Sequence, residues 1–66
     1  MYGIGDKVQF KGHMGIVVDV SLENEYYVAF FESMENSHYT VTHDGIVWND
    51  TLLLKEEELS PIVLED

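Results

Sequence analysis

Cysteine and arginine are absent from the 66 residues, and proline occurs once, as Pro61. Without cysteine, no disulfide and no thiolate zinc site can brace the fold, so packing has to hold it. Without arginine, only Lys7, Lys11 and Lys55 can neutralise phosphates, which argues against direct binding of nucleic acid. A single proline offers no polyproline ligand segment. No apolar run approaches the roughly 20 residues that cross a bilayer. Met1 to Asp6 lacks the basic and apolar regions of a secretory leader. These absences lead us to expect a soluble, cytoplasmic protein with no membrane partner.

Sixty-six residues leave room for one domain, taken as 1–66. A chain this short buries only about 60% of its unfolded surface. Its hydrophobic fraction of 45% and its eight aromatics can still supply a core. Thirteen acids against three lysines give a net charge of −10, unevenly placed. Residues 1–31 hold four acids and two lysines, whereas residues 32–66 hold nine acids and Lys55 alone. Such a field repels phosphate backbones and attracts basic surfaces, although acid also serves solubility alone.

The apolar pattern has period two. Lys7-Val8-Gln9-Phe10 alternates, and Gly12-His13-Met14-Gly15 suits a tight turn. Ile16-Val17-Val18-Asp19-Val20 is β-branched, with Ile16, Val18 and Val20 on one side. A polar reversal, Leu22-Glu23-Asn24-Glu25, leads to a third strand, Tyr26 to Phe31, apolar on both faces. Glu32 to His38 is without period and reads as a loop. Asp44-Gly45 is a type I′ pair, which sets His43 opposite Ile46, Val41 opposite Trp48 and Tyr39 opposite Asp50. Thr51 to Leu54 is either a strand or a continuation of the preceding one. Lys55 to Leu59 is too short for a free helix and forms one 3₁₀ or α turn anchored by Leu59. Pro61 ends it, and Ile62-Val63-Leu64 makes a short closing strand.

The expected fold is therefore all-β: a small barrel of five or six antiparallel strands with one short turn of helix near the C-terminus. Closure would hide the strand edges. Val8, Phe10, Ile16, Val18, Val20, Val41, Ile46 and Trp48 are the expected core.

Gly5-Asp6-Lys7-Val8, Lys11-Gly12, Gly15-Ile16-Val17 and Tyr27-Val28 with Phe30 resemble the opening of KOW-type and related SH3-like barrels. Leu54, Glu56-Glu57-Glu58-Leu59 and Pro61-Ile62 are similar to the 3₁₀ turn and last strand of such barrels. The resemblance covers most of the chain outside Glu32–His38, and the Asp44-Gly45 hairpin looks like an elaboration. It implies an SH3-like barrel and, as one alternative, association with nucleic acid or ribosomes. RNA-binding KOW domains carry basic loops, which this chain lacks. In size and charge the chain also looks like small acidic inhibitor proteins encoded by phages.

Chemistry finds little support. His13, His38 and His43 follow no ligand spacing, so neither metal nor cofactor is expected. Thr42 and His43 point to opposite faces of a strand and cannot act as nucleophile and base. Gly3-Ile4-Gly5 precedes a strand, not a phosphate-cradling helix. A non-enzymatic protein-interaction module, an adaptor or inhibitor docking on a basic partner surface, is the expectation. Its candidate contact residues are Tyr27, Phe31, Glu32, Met34, Glu35, Asp44 and Asp50. The run Glu56-Glu57-Glu58 joins that acidic face or is a solvated turn. A structural homo-oligomer formed through Phe31 or Leu52–Leu54 is a further alternative.

Overall fold

The computed structural model describes residues 2–32 and 39–62. Six strands follow in chain order: β1 (Lys7–Phe10), β2 (His13–Val20), β3 (Glu25–Phe30), β4 (Tyr39–His43), β5 (Ile46–Lys55) and β6 (Ser60–Pro61). A 3₁₀ turn, Glu56–Glu58, separates the last two. All pairings are antiparallel, and the strand order across the sheet is β4-β5-β3-β2-β1-β6.

This order overturns the closed barrel of SH3-like, KOW-type architecture. The ladder is open, with β4 at one end and β6 at the other. Closure would require those two to pair, and β6 has two residues, one of them Pro61, which has no N–H to give. The six antiparallel strands and the 3₁₀ turn are present; the closure and the family likeness built on it are not.

Both short hairpins follow from local chemistry. Asp44 (φ 52°) and Gly45 (φ 77°) are both left-handed, as a type I′ turn demands, and His43 stands opposite Ile46. The first hairpin turns on Lys11 (φ 50°) and Gly12 (φ 83°), not on the Gly12–Gly15 stretch. Gly15 instead lies within β2, opposite Phe30. A Cβ there would stand 2.8 Å from the Ala29 carbonyl oxygen and 2.8 Å from Val28 Cγ1. Glycine at this position lets β2 and β3 approach.

Residues paired across an antiparallel ladder point to the same face. On the principal face Val28 of β3 stands between Val17 of β2 and Leu52 of β5, and Tyr26 stands opposite Leu54. Val8, Val17, Tyr26, Val28, Phe30, Leu54 and Leu59 form the buried cluster there, with Tyr2, Phe10 and Leu52 packed on it. Leu59 is thus the anchor of the 3₁₀ turn, as its sequence position implies. In β3, whose sequence is apolar on both faces, Tyr26, Val28 and Phe30 look inward, and the following Phe31 is 60% exposed.

Two irregularities explain where the expected core fails. An extra residue in β2 between Val17 and Asp19 changes the phase of the strand, so that Val17 and Val18 are both buried and Val20, paired with Tyr26 near the strand end, is exposed. A second shift, between Tyr39 and Val41, sets Tyr39 opposite Thr51 rather than Asp50. Thr51 is fully buried, and its hydroxyl donates to the Trp48 carbonyl at 3.1 Å, which accommodates the irregularity. Ile46, also expected inside, is exposed, and Val41 and Trp48 are half-buried. Trp48 and Ile46 share a small cleft with Ile4, Ile16 and Val18 instead of joining the principal cluster.

Candidate functional site

The β2–β3 reversal and the 3₁₀ turn meet at one end of the sheet because β3 pairs with β5. That pairing sets Glu25 opposite Lys55 and Tyr26 opposite Leu54. Glu25 N–H donates to the Leu22 carbonyl at 2.9 Å, Ser21 N–H donates to the Glu25 carbonyl at 3.0 Å, and Asn24 takes a left-handed φ of 70°. Glu56 N–H then donates to the Asn24 carbonyl at 2.8 Å, which ties the 3₁₀ turn to the reversal. Glu58 accepts from Lys55 N–H at 2.9 Å and Leu59 N–H donates to the Glu56 carbonyl at 3.1 Å, so the turn is held at both ends.

Between these two segments lies an open cleft of about 700 Å³, lined by Leu22, Glu23, Asn24, Glu25, Lys55, Glu56 and Glu57. Leu22 is 65% exposed, the most exposed large apolar side chain among the described residues. With Glu58 of the same 3₁₀ turn, this end gathers five acids, Glu23, Glu25, Glu56, Glu57 and Glu58, against Lys55. Like charges this close make a local negative field with an apolar residue in its midst.

Beneath the cleft, Tyr26 joins three parts of the chain. Its hydroxyl accepts from Tyr2 N–H at 3.1 Å and donates to Glu56 Oε1 at 2.9 Å, and its ring meets Tyr2 edge-on at 5.6 Å. The Tyr2 N–H favours the phenolate, but burial and the Glu56 carboxylate outweigh it and raise the Tyr26 pKa above its ordinary 10.0.

The residues singled out from the sequence do not form one patch. Tyr27 is half-buried and packs edge-on against Tyr39, ring centres 5.4 Å apart. Phe31 borders a shallow depression with Gly12, Met14 and Glu32. Met14 is 54% exposed there, and Glu32 pairs with His13 Nδ1. Asp44 sits at the tip of the β4–β5 hairpin, 3.4 Å from His43 Nε2, and Asp50 is half-buried on β5. Met34 and Glu35 lie outside the described residues. Leu22, Glu23 and Glu25 escape a reading along the chain because they join Glu56 and Glu57 only through the β3–β5 pairing, which skips a strand. Their one local signal is the polar reversal Leu22 to Glu25.

Among the described residues no group of three or more His, Cys, Asp or Glu is arranged to hold a metal ion. None of the helical segments among them is long and apolar enough to cross a membrane. Comparison with protein-family models, with curated proteins and with solved structures finds no match.

Proposed function

We propose that this protein is a binding module, an adaptor or inhibitor, that docks on a basic surface of a partner protein through its acidic end. The observation that carries this is the cleft in which Glu23, Glu25, Glu56 and Glu57 surround the exposed Leu22. Acids at a rim steer association, whereas a buried apolar anchor governs dissociation. The rigid sheet below holds both segments in place through the Glu56-to-Asn24 hydrogen bond. The depression at Phe31, Met14 and Glu32 is a second apolar contact suited to the same partner.

The test is to isolate the partner by pull-down and to follow the rates of binding across a salt series. Glu23→Lys with Glu57→Lys should lower the association rate and flatten its salt dependence. Leu22→Ala should speed dissociation and leave association nearly unchanged. A partner surface that is neutral or acidic, or rates indifferent to salt and to both reversals, would reduce the charge to a solubility device.

A further inference from the structure

The two terminal strands of the open sheet are treated very differently by the sequence. At one end β6 is two residues long and contains Pro61, a blunt edge on which little can pair. At the other end β4 runs Tyr39-Thr40-Val41-Thr42-His43, five residues of mostly good strand formers with no lysine and no proline. No described strand pairs with its outer side.

Hairpin geometry fixes which groups that outer side presents. In a two-residue type I′ hairpin the residues flanking the turn exchange both hydrogen bonds, and the pairs alternate from there. His43 with Ile46 and Val41 with Trp48 are therefore the bonded pairs, and Thr42 with Val47 is not. The N–H and C=O groups of Thr40 and Thr42 point away from β5. Both threonines are exposed.

We infer that the outer edge of β4 takes up an extended, lysine- or arginine-bearing segment of a partner protein as a seventh strand. Main-chain bonds to Thr40 and Thr42 supply the pairing, as in other cases of strand addition. Charge selects the occupant. Residues 39–54 hold Asp44 and Asp50 and no lysine, and a second copy of the chain would bring another −10 to the same edge. The inference rests on the basic partner of the proposed function and adds the form in which that partner binds.

The experiment uses the isotope-labelled protein and a blocked eight-residue peptide of alternating lysine and valine, with a glutamate–valine peptide as its counterpart. The lysine peptide should shift the Thr40 and Thr42 amides and slow their exchange by about tenfold or more. Thr42→Pro removes an N–H that the β4–β5 ladder does not use, so it should weaken the peptide by about tenfold with the fold retained. Thr42→Lys, harmless on an edge strand, should weaken it by charge repulsion if the proline variant fails to fold. Shifts confined to Leu22–Glu25 and Glu56–Glu57 would overturn the edge site while leaving the acidic end as the docking surface. Thr42 already protected in a dimeric free protein would overturn it in favour of a second copy. Equal protection by the glutamate peptide would overturn the basic partner itself.

Discussion

Replacing Gly15 by alanine tests the closest approach in the fold. The added methyl group would meet the Ala29 carbonyl oxygen and Val28 Cγ1 at 2.8 Å, and Phe30 Cδ1 at 3.1 Å. A backbone oxygen inside a paired strand cannot step aside, so β2 must move from β3 or Val28 must leave its rotamer. Overpacking of this kind costs about 1–3 kcal/mol, and the upper half of that range applies because backbone is involved. Restricting the unfolded chain returns only about 0.4–1 kcal/mol. The net loss is about 2 kcal/mol, out of a total of roughly 3–10 kcal/mol for a domain of this length. Urea unfolding followed by circular dichroism should show a lower midpoint with an unchanged slope, and Tm should fall by roughly 10 °C. Gly3→Ala is the control, since its methyl would meet nothing nearer than Asp6 Oδ2 at 3.9 Å. A Gly15→Ala protein as stable as the parent would refute the close packing of β2 on β3.

The parts of the fold legible in the sequence are those fixed by neighbours in the chain. Asp44-Gly45 dictates its turn through two left-handed residues, and the register of His43, Val41, Ile46 and Trp48 follows from it. The lone apolar Leu59 in an acidic turn had to be an anchor, and it is buried. The alternation of Ile16, Val18 and Val20 misled because one extra residue changes the phase of a strand, and β-branched residues fill both faces around it. Closure was out of reach for a different reason. Whether a ladder of six strands meets its own end depends on the length and donors of the outermost strands. In this chain β6 has two residues and a proline.

The acidic end shows the same division at the level of the site. Net charge and its excess in the second half are plain in the sequence, whereas the face of Tyr26 to Phe31 that is exposed is decided only by the structure, which leaves Phe31 outside. What the sequence does not show is which acids share a surface. Glu23 and Glu25 belong to the half with little net charge. They meet Glu56 and Glu57 only because β3 passes over β4 to pair with β5. Charge counted along the chain therefore pointed to the wrong half for the acidic partners of Glu56, whereas charge counted across the sheet gathers them.

Three further perturbations separate backbone, packing and ionisation. Gly45→Val should cost about 1–2 kcal/mol through its positive φ alone, since a Cβ there meets nothing within 4 Å; an unchanged urea midpoint would refute the turn. The Trp48 indole N–H is shielded and finds no acceptor among the described residues, so Trp48→Phe should hold stability within about 1 kcal/mol or raise it. A large drop in the urea midpoint would show that the indole nitrogen is partnered. Tyr26→Phe should lower Tm at neutral pH, because it removes the link between Tyr2 and Glu56. The parent, however, holds the Tyr26 proton more tightly when folded than when unfolded. Its stability is then fully present below pH 10 and is lost as the pH rises through the raised value, because the unfolded chain ionises first. The phenylalanine protein has no such proton to lose at this position, so the gap between the two Tm curves should narrow steadily above pH 10. Thermal unfolding of both proteins from pH 7 to pH 11 reads this directly. Parallel curves over that range would mean that Tyr26 does not shelter its proton behind Glu56, and the buried link beneath the acidic cleft would fall with it.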